Sequence, residues 1–283
     1  MDWPRARAYL IAGFLILNVM LGHRLWQEQH AGEVPDVPKW DPAFQELLGE
    51  LEAVGVSLAV ELPWERPMLP TLRVEPADYE DCVLAGLFEM REGKILEGEA
   101  GRLVFLPPLG VEFIPQYEAG EGLVPSEEGA REMAEEFFEE LEGMPRSVVY
   151  RGVLRGPGDT MTVQYRRLWD DIPIYPTGLS VEVGPGGVRR VEKMLGGRIQ
   201  PVGSPERVLE VEAALRALAG ELRAQEWVEP RALISAELAY WGEPVDEAWT
   251  AVPAYRLVLS DGQVAFVNAL DGRLEVFGHP GGS

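Results

Sequence analysis

Downstream of Pro125 the chain spells one pattern twice, and few folds accommodate it. "PSEEGAREMAEEFFEELEG" places Ser126 at a helix N-cap, puts acidic residues in the first turn, where the helix dipole favours them, and carries a stripe of Ala130, Met133, Ala134, Phe137, Phe138 and Leu141. Strand-like runs follow: "SVVYRGVL", "MTVQYRRLW", "IPIYPTGLSVEVG" and "GVRRVEKML". "SPERVLEVEAALRALAGEL" then repeats the opening, with Ser204 as N-cap, Pro205 in the first turn and Val208, Val211, Leu215, Leu218 and Leu222 as the stripe. Again strands follow: "ALISAELAYW", "AVPAYRLVLS", "QVAFVNAL" and "RLEVF", joined by "SDGQ" and "LDGR", which carry the Asp-Gly signature of tight hairpins. One helix covering one sheet face is a unit, and two copies about 80 residues apart predict a duplicated α+β module over 125–200 and 201–279.

Upstream, Asp41-Pro42 reads as an N-cap with proline at the first helical position. Phe44, Leu47, Leu48, Leu51 and Val54 mark the buried face of that helix, and Gly55 ends it. "VSLAVEL" alternates like a strand, and "TLRV", "GRLVFLP" and "VEFIP" are further short strands within a segment spanning 41–124. Residues 27–40, polar with two prolines, read as a linker.

The chain opens "MDWPRARAYLIAGFLILNVMLGHRLW", in which residues 8–22 carry no charge. Fifteen residues are short for a span, which needs about 20. Trp3 to Trp26 as a helix would reach roughly 36 Å, with Arg24 snorkelling and the two tryptophans at the interfaces. No small-residue cleavage site follows, so the reading is an uncleaved transmembrane helix over 8–26. Arg5 and Arg7 place a cytoplasmic tail at 1–7 and the rest of the chain outside, a single-pass protein of the cell membrane. Asn18, Ala12, Gly13 and Leu17 are the candidate contacts with a partner helix. Trp3, Arg5, Arg7, Arg24 and Trp26 are the candidate membrane-interface residues.

The net charge of -22 excludes nucleic acid as a partner. A single cysteine, Cys82, excludes an internal disulfide. His23, His30 and His279 lie in the anchor, the linker and the glycine-rich tail, so neither a histidine metal site nor a nucleophile with its base can be assembled. Asp170-Asp171 is the best carboxylate pair for a hydrolase, but neighbours on one strand point to opposite faces. The glutamates of 127–142 form the solvated face of a helix, and Trp169, Trp227, Trp241 and Trp249 read as packing. The expectation is a protein that is not an enzyme, with no catalytic residues, metal or cofactor.

"MDW" with its arginine pair, then "FLILNVMLG" with its intramembrane Asn18, resembles the start of the YycI (WalI) family of two-component-system regulators. "AVPAYRLVLSDGQVAFVNALDGRLEV" is similar to that family's terminal strand-hairpin-strand, which itself resembles peptidase-propeptide (PepSY-like) modules. The resemblance implies a non-enzymatic, membrane-anchored regulator of a cell-wall sensor histidine kinase, acting through its transmembrane helix and outer domain. The implied partners are a WalK/YycG-type kinase and a YycH-like protein. The alternative is an extracytoplasmic module, PepSY-like and conceivably protease-inhibiting, that binds a peptide or cell-wall fragment and has a passive anchor. The expected fold is thus α+β, a single transmembrane helix followed by repeated modules of one helix on an antiparallel sheet.

Overall fold

The computed structural model describes residues 41–77, 95–98, 101–116, 125–141, 144–145, 147–156, 158–225, 229–245 and 247–278. The chain divides into two compact units, Met1–Gly49 and Glu50–Ser283. Of the first, only 41–49 are described; they open helix α1 (Pro42–Ala53). Asp41 caps it, its carboxylate accepting from the Ala43 amide at 2.9 Å. Gly55, at φ +78°, takes the left-handed conformation that terminates the helix.

The second unit carries all fourteen described strands. They are β1 (Val56–Leu58), β2 (Met68–Val74), β3 (Ile95–Gly98), β4 (Gly101–Leu106), β5 (Gly110–Pro115), β6 (Val148–Arg155), β7 (Met161–Trp169), β8 (Ile172–Gly184), β9 (Gly187–Met194), β10 (Ile199–Arg207), β11 (Arg231–Trp241), β12 (Trp249–Leu259), β13 (Val264–Asn268) and β14 (Leu274–Gly278). The unit's described residues also include the end of α1 and helices α2 (Glu127–Leu141) and α3 (Val211–Ala224). The strands form one sheet in the order β10-β2-β12-β11-β8-β9-β5-β4-β3, with β6 beside β7, β7 beside β8, and β13-β14 continuing from β12. Every pairing is antiparallel except those of β11 with β1 and with β8.

α2 packs on β6 to β9. Its Ala130, Ala134 and Phe138 meet Val163, Tyr165, Leu179, Val181 and Val191 in one core. α3 packs on β13 and β14 and buries Val211, Ala214, Leu215, Leu218, Ala219 and Leu222. Strand alternation divides the remaining apolar residues between two faces: Ile174 and Tyr240 join Leu72, Val74, Trp249 and Ala251, while their neighbours Tyr175 and Ala239 join Ala254, Val264 and Phe266.

The expected architecture is corrected in two respects. Repeated helix-on-sheet modules are not what the chain builds, because the edges such modules would expose are spent on one another. Ile174 and Tyr175 of β8 pair in parallel with β11, and β5 pairs with β9, so the strands run into one continuous sheet. Gly110 permits the second junction, since a Cβ there would collide with the Lys193 carbonyl. The second correction concerns the anchor. Among the described residues no helix is long and apolar enough to cross a membrane. The longest is α2 at 15 residues, with acidic residues along its exposed side, where a span needs about 20 apolar ones. The single-pass membrane localisation, with a cytoplasmic N-terminus and an outer domain, therefore has no helix among the described residues to carry it. The expected span 8–26 lies outside them.

Candidate functional site

"ELPWERP" leads from β1 to β2. Pro63 and Pro67 have no N–H to donate, so residues 61–67 neither prolong β1 nor pair as a strand, and they run as an irregular segment instead. Its far end is tied down: Arg66 donates from Nε to the Val208 carbonyl at 3.1 Å and from Nη1 to Glu210 at 2.7 Å, and the Val208 amide donates to Pro67. Between this segment and the sheet opens a cleft of 720 Å³. Glu61 to Glu65 and Pro67 form one wall, Ala236 and Leu238 of β11 a second, and Asp170 and Ile172 at the β7–β8 hairpin a third. The volume lies within the roughly 300–1,000 Å³ common for ligand pockets.

The cleft exists because two strands fork. β11 pairs with β12 along Leu233–Trp241 on one edge. On the other edge it pairs with β1 as far as Leu233 and with β8 only at Tyr240 and Trp241. Continuing the β8 register backwards would set Leu238 against Ile172 and Ala236 against Asp170. Those four residues line the cleft instead. The hairpin tip that diverges is a two-residue turn, Asp170-Asp171 between the paired Trp169 and Ile172, with φ of +46° and +65°.

Chemically the cleft is lined by the apolar Leu62, Ile172, Ala236 and Leu238, an indole and three carboxylates. Glu61, Glu65 and Asp170 are exposed, and among the described residues none forms an ion pair with arginine or lysine. Tyr240 lies on the same face of β11 as Leu238; burial first and the Asp170 charge second raise its hydroxyl's pKa. Among the described residues no three of His, Cys, Asp and Glu gather as metal ligands.

The opposite face bears a different cluster. Glu237 accepts hydrogen bonds from the Tyr175 hydroxyl at 2.8 Å, Arg256 at 3.0 Å and Arg151 at 3.4 Å. Arg166 and Arg256 each stand 4.9 Å from the centre of the Tyr175 ring. Burial raises the Tyr175 pKa, with Arg256 opposing. The group draws residues from β6, β7, β8, β11 and β12 across the junction of the sheet, with Arg151 and Arg256 paired to Glu237 and Arg166 set over the Tyr175 ring.

The candidate partner contacts Asn18, Ala12, Gly13 and Leu17, and the interface residues Trp3, Arg5, Arg7, Arg24 and Trp26, lie outside the described residues, as do Cys82, the three histidines and Trp227. Asp170-Asp171 is a hairpin turn, of which Asp170 also borders the cleft. Sequence reading missed Glu61, Trp64, Glu65, Ala236 and Leu238. The one local signal was the pair of prolines bracketing Trp64, Glu65 and Arg66, which forbids regular structure there.

No protein-family model and no curated protein matches the chain. Among solved structures, the crystal structure of an uncharacterized protein from Eubacterium rectale ATCC 33656 is similar at a TM-score of 0.46 and 11% identity, covering 82% of this chain and 98% of that one. At that level the likeness carries no function.

Proposed function

We propose that the chain is a non-enzymatic binding protein that acts by taking a segment of another protein into the cleft beside residues 61–67. The observation that carries this is the fork itself: apolar residues of β8 and β11 that a continued ladder would set against each other line an open cleft with Trp64 in its wall. A cleft of 720 Å³ admits a few side chains, so the ligand is a segment and not a whole domain. An aromatic anchor in a partly apolar pocket is the usual seat of binding energy. The resemblance to YycI-type regulators supports a regulatory role and names the partners to try, a sensor histidine kinase and a YycH-like protein.

The test is capture of those two partners, taken from the same organism, by the immobilised full chain. Trp64→Ala is expected to weaken capture about tenfold or more. Leu154→Ala, at a side chain 57% exposed on β6, serves as the control and leaves it unchanged. Equal capture by both variants sinks the assignment to this cleft.

A further inference from the structure

We propose that the occupant of the cleft is an extended, lysine- or arginine-bearing segment that adds as a strand to the open edge of β11. This rests on the binding reading above and specifies its chemistry. Among the described residues, no strand pairs with β11 on that edge between Leu233 and Tyr240. The vacant stretch, 234–239, spans roughly 20 Å at 3.3 Å per residue, room for a strand of about six residues. Backbone groups along such an edge are a template for an incoming chain. β8 does not fill the edge itself: it diverges at the hairpin, and Pro173, the next residue back from Ile174, has no N–H to extend the ladder.

The side-chain preference follows from alternation. Every second residue of an added strand faces the cleft, where it meets Trp64, Leu238, Ile172 and the carboxylates Glu61, Glu65 and Asp170. Three carboxylates with no cation paired to them among the described residues favour positive charge, and a protein of net charge -22 reinforces this at longer range. The residues facing the other side find Glu237 already engaged by Arg256, Arg151 and Tyr175, so that side makes no such demand.

The experiment titrates the full chain with three synthetic hexapeptides. One is acetyl-Lys-Val-Lys-Val-Lys-Val-amide, the second is the same peptide N-methylated at alternate residues, and the third has glutamate in place of lysine. Affinity is read by calorimetry, and amide hydrogen exchange is followed along β11. The lysine peptide is expected to bind and to slow exchange within 234–239. N-methylation, which removes about one hydrogen bond at every second residue, is expected to weaken binding about tenfold or more. The glutamate peptide should bind at least as much more weakly. Asp170→Asn should cost about threefold for the lysine peptide through one exposed charge; asparagine tolerates the left-handed turn as aspartate does, so the hairpin is kept.

Equal affinity for the methylated peptide, or unchanged exchange at 234–239, overturns strand addition. Equal affinity for the glutamate peptide overturns the charge preference. If no peptide binds while partner capture still depends on Trp64, this inference falls and the binding reading stands.

Discussion

Tyr255 shows how much of the fold hangs on single polar atoms. It is 1% exposed, and its hydroxyl donates to the Leu209 carbonyl at 2.7 Å, tying β12 to the residues that lead into α3. Burial pushes its pKa from the ordinary value up to about 12. In the unfolded chain the hydroxyl ionises near 10, so below that pH both states are protonated and the stabilisation is fully present. Between about 10 and 12 only the unfolded chain gives up the proton, and stability falls by on the order of 2 kcal/mol. Tyr255→Phe is therefore expected to be about 1 kcal/mol less stable at pH 8, where the hydrogen bond is lost, yet to decline less steeply from pH 10 to 12. Urea unfolding followed across that range decides it; a parallel decline for both proteins refutes the assignment. Residues whose role is local were legible in the sequence. Asp41 and Ser126 cap as expected, and Asp261-Gly262 and Asp271-Gly272 close hairpins. Trp64 and Glu65 were not, because what makes them a site is β11, far away in the chain and reached only through the fold.

Segments of regular structure were legible wherever one periodicity dominated. α2 runs from its Ser126 cap, whose hydroxyl accepts from the Gly129 amide at 3.1 Å, and it buries part of the stripe that the spacing predicts. The stripe is narrower than expected, since Met133 is 37% exposed while Phe138 is at 0%. Phe138→Ala is accordingly expected to cost about 3–5 kcal/mol, and Met133→Ala to stay within about 0.5 kcal/mol. Chemical denaturation of the two variants measures both, and comparable losses would mean that Met133 and Phe138 face the core alike. The helix expected to start at Ser204 failed for a tertiary reason. Residues 199–202 and 206–207 pair with β2, with Glu206 opposite Leu69 and Arg207 opposite Met68, so Ser204 and Pro205 sit in a bulge within β10 and not at a helix start. α3 begins at Val211, preceded by Glu210 in an extended conformation that makes no side-chain cap and pairs with Arg66 instead. A cap motif is a local preference, and strand pairing on both sides of it, at Val202 and at Glu206, displaces it.

The way the strands join decides how the second unit responds to stress. Two helix-on-sheet modules, as the repeated pattern in the sequence predicts, would each have a core of its own and could melt separately. The pairing of β8 with β11 gives the halves a common sheet, and the Arg151–Glu237–Arg256–Tyr175 group spans the same seam. Nothing in the periodicity of "IPIYPTGLSVEVG" or "ALISAELAYW" announces that pairing, because a parallel contact between strands so far apart is a choice among edges and not a property of either strand. The expected consequence is one cooperative transition for residues 50–283. Its calorimetric enthalpy should be on the order of 150 kcal/mol at about 0.7 kcal/mol per residue and equal to the van't Hoff value. Tyr240→Ala empties a fully buried position beside Ile174 at the seam and should cost about 3–5 kcal/mol. The loss should be felt in both halves: the slowest-exchanging amides of α2, which belongs to the β6–β9 core, should lose as much protection as those of α3 on β13 and β14. If α3 alone loosens while α2 keeps its protection, the halves fold separately, the sheet is continuous in geometry only, and a ligand seated in the fork could stabilise one half without the other. If both loosen together, a segment bound between β8 and β11 stabilises every strand of the unit at once, and occupancy of the cleft is reported throughout the sheet.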